Sequence, residues 1–337
     1  MGEEADRRQV GFVGLGNMGI PMTGRLVAAG YHVRGFDTSA EARRNFAAIG
    51  SPGDVSSADP TSADAGAADG NAGAGPGGVT VVDALTSVGD GADAVILMLP
   101  DSDVVERVLL GRAGGARPTD GERSGDGLLA RLPAGATVID MSSSDPARTK
   151  VLARTLAEAG VTLIDAPVSG GVAGARAGSL TVMVGGPAAA FAAFRPLLAA
   201  MGSRVVHAGD IGAGHAVKAL NNLMSAAHLL ASSEALIAGR RFGLDPAVML
   251  EIINGSSGRS WSTQNKWPAY VLTEKYDAGF SIRLMVKDIK LALAIEHATG
   301  VPSAASEAVV AAWEAALADS PPGADHTAIA RWLDERG

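Results

Sequence analysis

Residues Val10–Gly19, VGFVGLGNMG, decide the fold of this 337-residue chain. The apolar run Val10–Val13 predicts a short buried strand, and Met18–Ala29 has the periodicity of a helix. A second strand-like segment, His32–Phe36, follows directly. A strand, a glycine-rich turn, a helix and a strand in this order form a βαβ unit, which predicts a parallel sheet.

The turn inside this unit has the spacing GxGxxG. The first glycine permits a tight turn, the second lets the backbone approach a pyrophosphate, and the third lets the helix pack closely on the strand. The free N–H groups and the dipole of the helix N-terminus then favour a bound anion. The spacing alone is weak evidence in a chain with 44 glycines, but the βαβ context strengthens it. We predict that a dinucleotide binds at Gly14, Leu15, Gly16, Asn17, Met18 and Gly19.

Asp37 ends the second predicted strand, where an acidic residue usually accepts hydrogen bonds from the adenosine ribose hydroxyls. Its carboxylate would repel a 2′-phosphate, so the sequence favours NAD over NADP as the cofactor. Arg34, Arg43 and Arg44 lie close enough in sequence to leave that preference open. The simpler alternative is that Asp37 only caps the following helix.

Two stretches of low complexity interrupt the α/β pattern, at Ser51–Gly78 and at about Gly111–Asp126. Both are dominated by small and polar residues, which bury too little apolar surface to offset the entropy lost on ordering. We predict that both are flexible surface insertions within one domain, because strand-like patterns resume after the first.

Strand and helix patterns alternate to about residue 211, and only helical patterns follow. The further predicted strands are Ala94–Leu99, Thr137–Ile139, Thr162–Ile164, Leu180–Val184 and Arg204–Val206, with helices over 146–159 and 187–201. The later helices are predicted over 214–240, 245–254, 285–299 and 303–318. The predicted fold class is α/β: a Rossmann-type doubly wound sheet domain over 1–211, followed by an all-α domain over 212–337 that begins with the long helix 214–240.

The composition excludes several classes of function. A net charge of −8 and the absence of a basic stripe argue against a nucleic-acid partner. The chain has no cysteine, and its histidines and carboxylates lack ligand spacing, so we expect no metal site. We find no apolar run that would span a membrane and no signal peptide, and we expect a cytoplasmic protein.

A dehydrogenase that oxidises an alcohol needs a proton acceptor near the reacting hydroxyl, because the hydroxyl loses its proton as hydride leaves the carbon. The six histidines show no partner pattern. Lys218 is the better candidate, since the positive end of a helix that starts near Gly214 would lower its pKa, as would burial. Asn222, four residues later, falls on the same helical face. The opposite face, which we expect to bury the helix, carries Val217, Leu220, Met224 and Ala227.

The chain resembles the β-hydroxyacid dehydrogenase family from about Val10 to about Ala318, apart from the two insertions. Five blocks match in the family's order: Gly11–Gly19, Met98–Pro100, Asp140–Pro146, Asp165–Gly171, and Gly212–Gly214 with Lys218–Asn222. Lys287-Asp288 matches a further block. In the third block Ser143 stands where the family usually has threonine.

The resemblance implies a role for each of these residues. It implies that Leu99, Pro100, Ser143 and Lys287 contact the cofactor, and that Ser169, Gly170, Gly171 and Asn222 bind the substrate. Lys218 would be the general acid/base. The implied reaction is the NAD-dependent oxidation of a small β-hydroxy acid, similar to 3-hydroxyisobutyrate, to its semialdehyde, or the reverse reduction. The implied partner is a small carboxylic acid, and we expect a homodimer or homotetramer.

Two other functions stay open at this point. The chain could be an enzyme similar to the imine reductases, although these replace the lysine with another residue, or a non-catalytic NAD-binding interaction module. The residues also have simpler interpretations: Lys218 as a solvated or capping lysine, and Ser169-Gly170-Gly171 as an ordinary tight turn. The residue Arg259 and its neighbour Trp261 are as consistent with a surface loop as with a site.

Overall fold

The computed structural model describes residues 9–49, 77–111 and 127–336. The chain forms two compact units, which meet in sequence between His215 and Ala216, slightly later than the predicted boundary at 211/212. Most of both predicted insertions, 51–78 and about 111–126, lies outside the described residues. Their edges were placed wrongly: Gly78 already belongs to a strand and pairs with His32, and Gly111 is the left-handed cap that ends a helix.

The first unit contains a nine-stranded sheet with helices between the strands. The strands are β1 (Gln9–Val13), β2 (His32–Phe36), β3 (Gly78–Val81), β4 (Ala94–Leu97), β5 (Thr137–Asp140), β6 (Thr162–Asp165), β7 (Val168–Ser169), β8 (Thr181–Gly185) and β9 (Arg204–Gly209). Their order is β3-β2-β1-β4-β5-β6-β8-β7, with β9 paired to β8. The first six strands run parallel in the 3-2-1-4-5-6 order of dinucleotide-binding sheets, which confirms the predicted Rossmann-type fold.

The sheet is not parallel throughout. Strand β8 runs antiparallel to β6 and to the two-residue strand β7, while β9 runs parallel to β8. The short β7 escaped prediction because two residues carry no periodicity. It matters for the site, since Ser169 is its last residue.

Alternate residues of the central strands enter two separate apolar clusters. Ile96 and Ile164 belong to one cluster, whereas their neighbours Leu97 and Leu163 belong to the other. Because successive strand residues point to opposite faces, both faces of the sheet are covered by helices. The sheet is therefore doubly wound, as predicted. The helices of this unit are α1 (Gly19–Ala28), α2 (Ala40–Ile49), α3 (Ser102–Leu110), α4 (Pro146–Glu158), α5 (Gly171–Ala177) and α6 (Ala188–Ala199).

The second unit is helical, as predicted. Its helices are α7 (Ala213–Arg241, which begins in the first unit), α8 (Pro246–Asn254), α9 (Ile282–Thr299), α10 (Ala304–Asp319) and α11 (Ile329–Glu335). They enclose a core of their own around the fully buried Trp313. None of the helices within the described ranges is both long enough and apolar enough to span a membrane.

A π helix, Ser262–Val271, occupies a region where no helix was predicted. Its wider turn does not follow the 3.6-residue period, and Pro268 lies inside it, so the usual helix signals are absent. It buries Trp267, whose indole N–H donates to Ser233 on α7 over 3.2 Å. Lys266, next to it, is also buried.

Helix α2 packs on β2 at a point where no side chain intervenes. A methyl group on Gly35 would overlap the ring of Phe46, which is completely buried. By contrast, a methyl group on Gly24, inside α1, would meet no atom within 4 Å. These two glycines make a matched pair, because only one of them is required by packing.

We predict that Gly35→Ala lowers the stability of the chain by about 1–3 kcal/mol, because the core next to Phe46 becomes overpacked. Gly24→Ala is the control and should stabilise by about 0.5–1 kcal/mol, the usual gain for alanine over glycine in a helix. Thermal unfolding of the three proteins measures both effects. A Gly35→Ala protein that melts with the wild type would contradict the described packing.

Candidate cofactor and catalytic sites

The glycine turn of the first unit has the geometry that dinucleotide binding needs. Gly14 has φ 100°, and a side chain there would overlap the carbonyl oxygen of Met98. A side chain on Gly19 would overlap the carbonyl of Gly14, so this glycine allows α1 to pack against the turn. The space beside Gly16 is open, because no atom lies within 4 Å of the position that a methyl group would occupy there. The turn therefore fits a pyrophosphate at the start of α1.

Asp37 is joined directly to this turn. Its Oδ2 accepts a hydrogen bond of 2.8 Å from the N–H of Leu15, and its Oδ1 accepts one of 2.8 Å from the N–H of Ser39. The first bond ties the end of β2 to the glycine turn. The helix α2 is capped by Ser39, whose Oγ accepts from the N–H of Ala42 over 3.2 Å, so Asp37 does not itself cap the helix. Within the turn Leu15 is buried, whereas Asn17 is exposed and Met18 is partly buried.

One of the three arginines considered earlier lies beside Asp37. The guanidinium of Arg43 donates to the backbone carbonyls of Asp37 and Thr38. Arg34 instead donates to the carbonyl of Ser87 over 3.0 and 3.2 Å, and Arg44 is exposed. Arg43 thus places a positive charge next to the carboxylate that would exclude a 2′-phosphate.

The loops that follow β4 and β5 are bonded to each other. The N–H of Leu99 donates to Ser142 Oγ over 2.9 Å, so this amide is already used within the protein. Asp140 accepts from the N–H of Ser142 and from the hydroxyl of Ser144, both at 3.0 Å. Pro100 and Ser143 lie in these same loops, at the carboxyl edge of the sheet where ligands of such folds bind.

His215 has partners in the structure that no pattern in the sequence indicated. Its ring is fully buried, with Nδ1 2.9 Å from Thr149 Oγ1 and Nε2 3.1 Å from the carbonyl oxygen of Ser142. The carboxylates of Asp140 and Asp165 lie 3.7 and 3.8 Å from the ring. This ring holds the Ser142 loop in place, through partners that are distant in sequence.

Asp165 binds the first turn of α7. Its Oδ1 accepts from the N–H of Gly212 over 2.7 Å and its Oδ2 from the N–H of His215 over 2.8 Å. A side chain on Gly214 would overlap the carbonyl oxygen of Met183, so only glycine lets the helix start this close to the sheet. Two of the sequence blocks, one at Asp165 and one at Gly212–Gly214, are therefore one structural unit.

Ser169, Gly170 and Gly171 connect β7 to α5. Gly170 has φ 130° and Gly171 has φ 61°, values that favour glycine. The space beside Gly171 is open. This geometry matches a tight turn and equally leaves backbone N–H groups at the start of α5; its proposed role in carboxylate binding stays a prediction.

In the helical unit, Asp288 contacts two of the predicted site residues, Asn222 and Lys287, and its charge acts on a third, Lys218. Asn222 Nδ2 donates to Asp288 Oδ2 over 2.6 Å, and Lys287 Nζ lies 3.2 Å from Asp288 Oδ1. Burial lowers the pKa of Lys218, the positive charge of Lys287 lowers it further, and the charge of Asp288 opposes the shift. Asp288 is thus the residue of this cluster whose importance sequence reasoning missed.

The prediction for the buried face of α7 was wrong for two of its four residues. Val217 and Met224 are 43% and 60% exposed, whereas Leu220 and Ala227 are partly buried. The buried face instead carries Asn222 together with Leu223 and Ala226. A polar residue can occupy this face because its amide is satisfied by Asp288; the sequence pattern of the helix alone does not show that partner.

Lys266 was also missed. Its side chain is 8% exposed, and Nζ donates to Ser225 Oγ over 2.8 Å. Burial lowers its pKa to about 8; the charge of Asp325 opposes this, and the charge of Lys218 reinforces it. One indirect signal was present in the sequence: Ser225, the partner of Lys266, lies three residues after Asn222 on α7 and so falls on the same face of the helix. Arg259 and Trp261, by contrast, are exposed, and Trp261 is 67% exposed.

Comparison with known families covers almost all of the described chain. Residues 9–209 match the NAD-binding domain of 6-phosphogluconate dehydrogenase. Residues 212–333 match the domain described as NAD-binding of NADP-dependent 3-hydroxyisobutyrate dehydrogenase.

Individual relatives agree with these matches. The 3-hydroxyisobutyrate dehydrogenase of Pseudomonas aeruginosa is 38% identical over 85% of this chain and 84% of its own length. The 2-(hydroxymethyl)glutarate dehydrogenase of Eubacterium barkeri is 34% identical over 87% of this chain and 84% of its own. The Mycobacterium tuberculosis 3-hydroxyisobutyrate dehydrogenase, solved with L-serine, superposes with a TM-score of 0.78 at 30% identity, covering 97% of this chain and 99% of that one. The chain therefore belongs to the β-hydroxyacid dehydrogenase family of NAD-dependent oxidoreductases.

Proposed function

We propose that the chain oxidises a small β-hydroxy acid, similar to 3-hydroxyisobutyrate, to its semialdehyde, or catalyses the reverse reduction, with Lys218 as the general acid/base. The observation that carries this proposal is the cluster around Lys218, in which the buried Asp288 accepts from the buried Asn222 and pairs with Lys287. Burial also lowers the pKa of Lys218. A lysine serves as a proton acceptor only when its amine is uncharged, and burial favours that form.

In the oxidation, one C–H bond and one O–H bond of the alcohol break and a C=O bond forms. Bound NAD⁺ would supply the acceptor for the hydride that leaves the carbinol carbon. The neutral Nζ of Lys218 accepts the hydroxyl proton and becomes an ammonium. In the reverse reduction the ammonium returns this proton to the forming alkoxide.

The proposed role of Asn222 follows from its hydrogen bonds. Asp288 accepts from its Nδ2, which fixes the orientation of the amide. Its Oδ1 accepts a bond of 3.3 Å from Asn221 Nδ2 and has a second lone pair for the substrate hydroxyl.

The other proposed contacts involve the first unit and Lys287. Ser169, Gly170 and Gly171 would bind the substrate carboxylate with a hydroxyl and backbone N–H groups. The residues proposed to contact the cofactor are Leu99, Pro100, Ser143 and Lys287. Because the Leu99 amide is bonded to Ser142, the carbonyl or side chain of Leu99 would make that contact.

The relatives name candidates for the substrate: 3-hydroxyisobutyrate, 2-(hydroxymethyl)glutarate and L-serine. All three carry a hydroxymethyl group next to a carbon that bears the carboxylate, so one chemistry serves them all. A rate measurement with each compound and NAD⁺ at pH 8–9 tests the proposal. Failure to oxidise any hydroxy acid would contradict it, and turnover of cyclic imines would favour the imine reductase alternative.

We also propose a homodimer or homotetramer. Large apolar side chains at the end of α7 and on α8 are exposed, among them Phe242 at 86% and Ile252 at 63%. Apolar surface of this kind is typical of interfaces between subunits. Light scattering on the purified chain measures the mass directly, and a monomer at micromolar concentration would contradict the proposal.

We predict that Lys218→Ala lowers kcat by roughly 100- to 10,000-fold, the usual contribution of a positioned acid/base, while the affinity for NAD⁺ changes little. Lys290→Ala is the matched control, since Lys290 forms an exposed ion pair with Glu314 and should tolerate the change. Steady-state kinetics and NAD⁺ titration separate the two effects. Wild-type turnover in Lys218→Ala would exclude the assigned role.

The lowered pKa of Lys218 also predicts the pH dependence of the oxidation. A lysine below its pKa is protonated and cannot accept a proton, so kcat should fall as the pH drops through the pKa of Lys218. Because burial lowers that pKa, the fall should begin below the range of an ordinary lysine. A rate profile that declines only with the pKa of an exposed lysine would contradict the described burial.

We predict that Asp37→Asn improves the use of NADP⁺ relative to NAD⁺ by about tenfold or more. The change removes the charge that repels a 2′-phosphate, keeps an oxygen for the N–H of Leu15, and leaves Arg43 nearby. Glu41→Gln, at an exposed acidic residue in the first turn of α2, is the control. Ratios of kcat/KM for the two cofactors give the measurement, and an unchanged ratio in Asp37→Asn would refute this role.

A further inference from the structure

Lys266 is a buried cation without an ionic partner. Its side chain is 8% exposed, and its Nζ makes one hydrogen bond, to Ser225 Oγ at 2.8 Å. Across the described ranges, no carboxylate lies within 4.0 Å of it. An ammonium has three donors, so two N–H groups of Lys266 remain for a ligand.

The carboxylates of this region are bonded elsewhere. Asp325 accepts from the N–H groups of Gly279, Phe280 and Thr327 and from the Thr327 hydroxyl. Asp288 is shared between Asn222 and Lys287, as described above. The neighbouring ring of His326 uses Nδ1 on the carbonyl of Phe280, and burial lowers its pKa, which favours the neutral ring; it therefore offers Lys266 no ionic partner.

Lys266 is bonded to helix α7, which also carries Lys218 and Asn222. Ser225 lies three residues after Asn222 and seven after Lys218, so all three fall on one face of α7. A rise of 1.5 Å per residue puts Ser225 about 4.5 Å along the axis from Asn222 and about 10 Å from Lys218. The ammonium of Lys266 is therefore held near the proposed proton acceptor, on the side of the later helical turns.

A lysine kept only for packing would be costly at this place. Burying a charge without a partner costs several kcal/mol, and an apolar side chain of similar length would avoid that cost. Its neighbour Trp267 is buried and bonds the same helix α7 through Ser233. An unpaired buried cation is consistent with a site that an anion completes.

We propose that Lys266 binds a second anionic group of the substrate, so that the preferred substrate is a β-hydroxy acid with a further carboxylate rather than a simple monoacid. This inference rests on the proposed function, which it makes more specific. The second carboxylate, further along the substrate than the reacting hydroxyl, would accept the two free N–H groups of Lys266. Lys218 and Lys266 would act on different parts of the substrate, which makes their effects separable.

The test compares a monoacid with a diacid. At pH 7, where Lys266 is charged, we expect the wild type to show a higher kcat/KM for 2-(hydroxymethyl)glutarate than for 3-hydroxyisobutyrate. Lys266→Met should lower kcat/KM for the diacid by roughly 10- to 100-fold, the effect of losing a charge-assisted hydrogen bond, and leave the monoacid within about threefold. Lys266→Arg, which keeps the charge, should retain part of the preference. Lys275→Met, at an exposed lysine of the same region, is the control.

A binding measurement gives a second readout that does not depend on turnover. With NAD⁺ present, glutarate should bind more tightly than butyrate to the wild type and equally weakly to Lys266→Met, measured by calorimetry. Since a lysine is charged below its pKa, and that of Lys266 is about 8, the advantage of glutarate should shrink as the pH rises above this value. Lys266→Met should show no such pH dependence.

The outcomes separate this inference from the proposed function. An equal loss for monoacid and diacid in Lys266→Met, or an unchanged preference, would overturn the second-anion site and leave the proposed reaction standing. If no hydroxy acid is oxidised but glutarate binding still depends on Lys266, the proposed function fails and the anion site stands. Should Lys266→Met fold poorly, Ser225→Ala, which removes the one hydrogen bond that positions Lys266, replaces it with the same expected loss of preference.

Discussion

The carboxylate of Asp165 is the contact on which the start of helix α7 depends. It is completely buried at the end of β6, and it accepts the backbone N–H groups of Gly212 and His215 at the start of α7. The first N–H groups of a helix have no partner within the helix, and burying them without an acceptor is costly. Asp165 satisfies two such N–H groups, and Gly214 removes the side chain that would keep the helix away from the sheet. The helix that begins here carries Lys218 in its second turn.

The need to satisfy buried polar groups also explains which face of helix α7 is buried in the helical unit. Helix α7 buries the face that carries Asn222, although a sequence pattern would bury Val217 and Met224 instead. Asp288 makes this possible, because it accepts from Asn222 and is itself neutralised by Lys287. Burial and the charge of Lys287 lower the pKa of Lys218, which is the property that a proton acceptor needs, and they outweigh the opposing charge of Asp288.

Much of the fold follows from the sequence because its signals are local. The glycine turn at Gly14–Gly19, the apolar run of β4 and the 3.6-residue period of α9 each depend on residues a few positions apart. Strand β7 and the π helix escaped because one is too short and the other has the wrong period. The family resemblance added Ser169, Gly170, Gly171 and Lys287, whose roles no local pattern would have indicated.

By itself, the sequence determined the Rossmann-type sheet, the helical second half and the glycine turn, and it made Lys218 the candidate acid/base. Only the tertiary structure decided which groups surround that lysine. Asn222 meets Asp288 over 66 positions, His215 meets Thr149 over 66, and Lys266 meets Ser225 over 41. Each of these contacts satisfies a buried polar group, and its partner is chosen by the packing of whole elements. A pattern within one helix or strand carries no record of that choice, because the energy that selects it arises only when the elements are brought together.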